Sequence, residues 1–142
     1  MPLVWTDTLD GIDWTAVADV IRLAPLADKD PALLRTAFTN SMFRCFVFDD
    51  GRLVGTGRVL ADGVDAAYLC DVAILPSHQG RGLGRDIVAR LLACAHGHRK
   101  IILYSVPGKE GFYERLGFRR MTTAMAIFEN PAAAQARGYL AG

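Results

Sequence analysis

Gln79-Gly80-Arg81-Gly82-Leu83-Gly84 lies directly after a long apolar run and directly before a segment of helical periodicity. Alternating glycines admit unusual dihedrals and close approach, so successive backbone N–H groups can turn into one concavity. A helix start adds unpaired donors and the positive end of its dipole. Arg81 and Arg85 can supply charge-assisted contacts. Together these groups suit a pyrophosphate, whereas a glycine-rich turn with no ligand would not require the flanking arginines. Two other phosphate loops fail on their residues. A Walker loop needs Gly-Lys-Ser/Thr, which is missing here. A dinucleotide loop needs a third glycine where Arg85 stands and an acidic residue about twenty positions on, where Arg99 and Lys100 stand instead.

A second chemical candidate is Asp71, set between Cys70 and Val72 in an otherwise apolar strand. A carboxylate there must be paired, hydrogen-bonded or facing a wet cleft. It could act as a base, anchor a cationic amine, or bond a neighbouring turn such as Ala61 to Gly63; the residues alone leave these open. Tyr68 shares that strand and could line the same pocket. Glu110 is a weaker base candidate in a polar loop. His78 reads as a surface residue, and His96 and His98 suit the negative end of a helix.

The elements that must position these groups follow from periodicity. Asp13 caps a helix from about Trp14 to Leu23, and Asp30-Pro31 opens a second that carries Leu33, Leu34, Ala37 and Phe38 to near Ser41. Strands are expected over Phe43–Phe48, Leu53–Leu60 and Ala66–Leu75, joined by turns at Asp49–Arg52 and Ala61–Gly63. A short strand can precede them at Leu3–Trp5. Apolar spacing from Leu83 to Ala95 then predicts a long helix, Lys100–Val106 a strand, Phe112–Leu116 a short helix, Met121–Phe128 a last strand and Pro131–Arg137 a helical tail. The result is one α/β domain over 1–142 with an antiparallel front half.

Sixteen basic and fifteen acidic residues in 142 leave a formal charge of +1, which gives no field for gripping nucleic acid or an anionic membrane. Cys45, Cys70 and Cys94 match no zinc spacing or disulfide framework, so no metal is expected and buried thiols in a reducing cytosol are. No stretch approaches bilayer length and no signal peptide is visible, so the expected compartment is the cytoplasm. Trp5, Trp14, Phe38, Met42 and Phe43 are core residues by default. Arg44 and Arg58 receive no role.

The loop and a second segment, Phe112-Tyr113-Glu114-Arg115-Leu116-Gly117-Phe118, resemble the two signatures of the GCN5-related N-acetyltransferase (GNAT) family. The likeness runs from about Cys45 to Phe128 and is nearest to small bacterial members related to aralkylamine acetyltransferases. It implies a mixed, mostly antiparallel sheet splayed between its fourth and fifth strands, flanked by helices, with acetyl-CoA in the splay. On that resemblance Val72, Ala73 and Ile74 lend backbone groups to the pantetheine. Gln79, Gly80, Arg81, Gly82, Leu83, Gly84 and Arg85 hold the pyrophosphate, with Phe112 and Tyr113 beside the cofactor. Many members carry an asparagine shortly before the Phe-Tyr helix. Here Val106-Pro107-Gly108-Lys109-Glu110 stands there, so backbone or Lys109 contacts are expected instead.

Acetyl transfer needs a neutral amine, a polarised thioester carbonyl and a proton for the departing thiolate. A strand N–H around Val72 to Ile74 can polarise the carbonyl. A thiol of pKa roughly 8.5 can be regenerated by a nearby phenol, which by resemblance is Tyr113. Asp71 is the base or the amine anchor, and Tyr68, Asp71 and Phe38 are expected to line the acceptor site. The expected acceptor is a small-molecule or peptide amine, with a homodimer possible. The competing expectation is a CoA-binding regulatory or partner-binding module without turnover.

Overall fold

The computed structural model describes residues 2–142. They form two compact units, one ending at Leu103 and the other spanning Tyr104–Gly142.

In the first unit, five strands form one sheet in sequence order: β1 (Val4–Thr6), β2 (Phe43–Asp49), β3 (Arg52–Ala61), β4 (Ala66–Ile74) and β5 (Lys100–Ile102). The first four are antiparallel neighbours, and β5 joins β4 in parallel. The α/β fold with a mixed sheet and flanking helices is as expected. Helices α1 (Trp14–Leu23) and α2 (Pro31–Thr39) start at Asp13 and Asp30, whose carboxylates accept from first-turn N–H groups. These helices bury Val17, Val20, Ile21, Leu34 and Phe38, while Leu33 points outward at 70% exposure. Phe38 stacks on Phe46 of β2 with centroids 5.4 Å apart, and Trp14 meets both rings.

The opposite sheet face carries α3 (Leu83–Cys94), which buries Leu83, Ile87, Val88 and Leu91. It lies unusually near β3 because β3 has glycines beneath it. A Cβ at Gly57 would stand 2.8 Å from Leu91 Cδ1 and 3.1 Å from Ile87 Cγ2, and one at Gly55 2.9 Å from Ile87 Cδ1. The end of α3 is tied to the β3–β4 turn through His98. Gly63 N–H donates to His98 Nε2 at 3.0 Å, and Nδ1–H donates to Ala95 O at 2.8 Å. Those two partners require the neutral ring, so His98 is a buried brace rather than the imidazolium expected at a helix end. In that turn the Asp62 carboxylate accepts from the N–H groups of Asp65, Val64 and Ala66, which hold its pKa down to about 2.

In the second unit, α4 (Glu110–Glu114) starts two residues before the expected helix, and α5 (Pro131–Ala136) matches the expected tail. Tyr104, Phe128 and Tyr139 pack ring against ring within about 6 Å. Phe118 lies edge-on to Tyr113 at 5.8 Å. Two strand expectations are corrected. The strand expected over Lys100–Val106 closes at Ile102, and residues 121–128 form no strand at all, because no described neighbour supplies the ladder of hydrogen bonds a strand needs. Met42 is 44% exposed and Cys94 is exposed, where core positions were expected. Cys45 and Cys70 are sequestered, and burial pushes both thiols up to about 11. Among the described residues no helix is long and apolar enough to cross a membrane.

Gly57→Val should therefore lower stability by roughly 1–3 kcal/mol through overpacking against α3. Urea denaturation checks this, with Gly111→Ala, where a Cβ meets only Arg115 Nη1 at an ordinary 3.7 Å, as a surface control.

Candidate functional site

The central feature of the first unit is a fault in β4. Arg58 faces Cys70 and Thr56 faces Ala73, so Asp71 and Val72 together oppose the single residue Gly57. This is a β-bulge, with Asp71 held in the left-handed region at φ 55°. On the other edge, β5 accompanies β4 only along Ala66, Ala67 and Tyr68. From Leu69 to Ile74 that edge has no strand partner in the sheet, which is the expected splay between the fourth and fifth strands. Strand alternation fixes which groups face it. Leu75 N–H donates to Val54 O on the β3 side at 2.9 Å, so the backbone groups of Ile74 and Val72 turn to the open edge. Ala73 is buried opposite Thr56.

The open edge leads through a single 3₁₀ turn (Pro76–His78) into the glycine loop. Gly80 and Gly82 sit at φ 77° and 82°, a region where a side chain costs about 1–2 kcal/mol. Gly82 is the N-cap of α3 and offers no side chain to its donors. The first helical bond is Asp86 N–H to Gly82 O, so the N–H groups of Leu83, Gly84 and Arg85 are left without intrahelical acceptors. The Arg85 guanidinium folds over Gly82, its Nη2 2.7 Å from where a Cβ would stand, and Arg81 is exposed beside the loop. A cluster of open N–H groups under one guanidinium is an anion cradle.

Gln79 belongs to the loop's frame. Its Nε2 donates to Ile74 O at 2.9 Å and to Ala24 O, just past α1, at 2.8 Å. His78, expected at the surface, is instead mostly covered and bonds Asp49 Oδ2 through Nε2 at 2.6 Å. That bond holds the Asp49 carboxyl below its usual range.

Asp71 is 8% exposed, and both of its oxygens are engaged. Lys29 Nζ donates to Oδ1 and Arg58 Nε to Oδ2, each at 2.7 Å. Arg58 also donates to Ser41 Oγ and lies over the Phe38 ring. Burial pushes the Asp71 pKa up, but the bonds and charges of Lys29 and then Arg58 outweigh it, and the net shift is downward. A carboxylate so held is a weak proton acceptor. Phe38 has no exposed surface and packs behind Arg58 among core rings, so it does not line an opening as expected. Tyr68 is half-buried on β4 between Leu60 and Ile102. Lys29, Arg58 and the bracing by Gln79 were missed by sequence reasoning. A signal existed for Arg58, a cation inside the strand next to the one that carries the lone anion Asp71.

In the second unit, Tyr113 packs edge-on between Phe112 and Phe118, and burial raises its phenol pKa. It therefore keeps its proton at neutral pH. Glu110 accepts from Gly108 N–H and Ser105 Oγ, the former chiefly holding its carboxyl down. Lys109 is the N-cap of α4 without a side-chain cap bond. No group of three or more His, Cys, Asp or Glu among the described residues is placed to hold a metal.

Residues 41–120, more than half of the chain, match the family model described as an acetyltransferase (GNAT) domain. The chain belongs to the GNAT family. The match contains the bulge, the open edge, the loop and the Phe-Tyr segment of this GNAT chain. It is 46% identical over 70 residues to serotonin N-acetyltransferase 2, chloroplastic, of Oryza sativa, covering 48% of this chain and 35% of that protein. It is 31% identical over 115 residues to GCN5-related N-acetyltransferase 1, chloroplastic, of Arabidopsis thaliana, covering 78% and 58%. The chain thus spans from about a third to under two thirds of the length of these relatives. A putative GNAT acetyltransferase from Xanthomonas campestris is similar in structure, with TM-score 0.77 and 26% identity over 90% of this chain and 94% of that one.

Asp71→Ala should cost about 3 kcal/mol by leaving Arg58 buried without its carboxylate. The folded pKa of Asp71 is depressed, so its contribution is full above the ordinary carboxylate range and is lost as pH falls below it. Thermal melts across acid pH should show a shallower loss in Asp71→Asn than in the parent.

Proposed function

We propose that this chain is an acetyl-CoA-dependent N-acetyltransferase, working as one domain over residues 1–142. It moves the acetyl group to a primary amine by direct attack in a ternary complex. The observation that carries the reading is the continuity of the unpartnered β4 edge with the uncapped, glycine-lined start of α3. An extended pantetheine can add to a strand edge as a peptide does, and a diphosphate can follow it onto open N–H groups. Val72 and Ile74 present the edge. Gly80, Gly82, Leu83 and Gly84 supply the cradle, with Arg81 and Arg85 adding charge. Gln79 acts by fixing the loop to the end of β4.

In the reaction, the amine nitrogen attacks the thioester carbon, a C–N bond forms and the C–S bond breaks. An edge N–H of β4 stabilises charge developing on the carbonyl oxygen. The thiolate takes a proton, and the new amide nitrogen loses one. Tyr113 is the proposed proton donor, on the resemblance of its Phe-Tyr segment and on a phenol kept protonated by burial. Asp71 enters as the residue that fixes Arg58 and Lys29 against the bulge, with Tyr68 on the same strand toward the acceptor. The name of the rice relative makes arylalkylamines the first acceptor class to test. The proposed compartment is the cytoplasm.

Two variants test this. Gly82→Glu should abolish acetyl-CoA binding in isothermal titration, because a carboxylate would face the diphosphate; undiminished affinity in a folded variant overturns the loop assignment. Tyr113→Phe should reduce kcat by roughly a hundredfold, the scale of a single acid–base group, with acetyl-CoA affinity nearly intact. Free-thiol release over an amine panel reads this, and full turnover in Tyr113→Phe removes the phenol from the mechanism. Acetyl-CoA binding by the parent with no turnover on any amine overturns the enzyme reading in favour of a binding module.

A further inference from the structure

We infer that Cys45 and Cys94 form a redox-responsive thiol pair, which a peroxide converts to a disulfide between β2 and the end of α3. The inference is independent of acetyl transfer.

Cys45 is buried in β2 and Cys94 is exposed as the last residue of α3, yet both line one cavity of about 370 Å³ within the first unit. The register explains how a strand residue and a helix residue meet there. Cys45 pairs with Gly57 across β2 and β3, and directly paired residues of antiparallel strands project to the same face. A Cβ on Gly57 would point at Leu91 and Ile87, so that face is the one α3 covers. Cys94 follows Leu91 by three positions, which makes the two neighbours on the helix surface. A disulfide needs Cα atoms within about 7 Å of each other. A helix that had to clear side chains on β3 would stand too far off, and the glycines beneath α3 remove that obstacle.

Two further observations belong to the same site. Arg90 precedes Cys94 by four positions on the same helix surface, and its Cζ lies 4.1 Å from the centroid of the Trp5 ring at the cavity wall. Burial pushes the Cys45 thiol up to about 11; Arg90 pulls it down, while Cys94 and Asp7 push it up. Arg90 and Cys94 are therefore both within electrostatic reach of the buried sulfur.

Exposure sets the order of events. Peroxide meets Cys94 first: the thiolate attacks oxygen, the O–O bond breaks, hydroxide leaves and Cys94 becomes a sulfenic acid. Arg90 supplies a positive charge beside that step. Cys45 then attacks the sulfenic sulfur, the S–O bond breaks, water leaves and the S–S bond forms. Two thiols are oxidised and one hydrogen peroxide is reduced to two waters. Between the two cysteines lie β3, β4 and the glycine loop, so the bond closes a covalent ring around the bulge, the open edge and the anion cradle. Cys70 lies outside this cavity, beside Arg58, Asp71 and Lys29, and serves as the internal control.

The experiment treats the full chain with hydrogen peroxide, alkylates the remaining thiols in denaturant and maps peptides without reductant. The parent should lose the mass of two hydrogen atoms and keep one alkylatable thiol of its three, at Cys70. It should yield a linked Cys45–Cys94 peptide that dithiothreitol separates. Cys45→Ala should instead leave Cys94 as a sulfenic acid that dimedone traps. Cys94→Ser should leave Cys45 and Cys70 both alkylatable after the same treatment. If Cys45→Ala does not fold, the parent map and Cys94→Ser decide the matter. Three alkylatable thiols in the treated parent overturn the inference. So does a bond that includes Cys70 or joins two chains, and so does oxidation of Cys94 that leaves Cys45 free.

Discussion

Asp71 is the residue on which the geometry of the candidate site turns. It takes a left-handed backbone conformation in the middle of a strand, which aspartate tolerates better than most side chains, and its carboxylate is clamped by Arg58 and Lys29. The clamp and the bulge support each other. The bulge adds one residue to β4 opposite Gly57, bending the strand where β5 has ceased to accompany it. Buried charge is costly unless paired and bonded, and no described buried side-chain polar atom here lacks a partner. Charge therefore fixes a backbone irregularity, and the irregularity exposes a hydrogen-bonding edge.

A second set of contacts transmits that geometry to the loop. Gln79 joins the end of β4 to the residue after α1, and His78 joins the intervening turn to Asp49 at the end of β2. Three parts of the first unit thus bear on one short segment. The glycines inside the segment adopt positive φ because they have no Cβ, while His78 and Gln79 before them carry the restraint. The side chains next to the cradle serve to hold it, and the cradle itself is backbone.

Much of this was legible in the sequence because period and punctuation carry it. Asp13 and Asp30 cap the helices where expected, the turns at Asp49–Arg52 and Ala61–Gly63 join the strands as expected, and the loop lies at a strand-to-helix junction. Other features were not legible, for physical reasons. The bulge at Asp71 leaves no mark on apolar periodicity, since it changes pairing and not composition. The neutral ring of His98 depends on Gly63, thirty-five positions away. The outward turn of Leu33 and the complete burial of Phe38 depend on how far α2 rotates against the sheet. Residues 121–128 have the composition of a strand, but a strand exists only where a neighbour completes its hydrogen bonds.

The glycines under α3 bear on the loop through simple distance. With hydrogen where neighbouring strand positions carry carbon, the helix settles onto the backbone of β3, and its first turn is the floor of the cradle. A methyl group at Gly55 or Gly57 would raise the helix by about an ångström, and displacement of that size far from a reacting centre can cost about a hundredfold in rate. Two hydrogen atoms on the far side of a helix act as shims that set the height of an anion seat none of them touches.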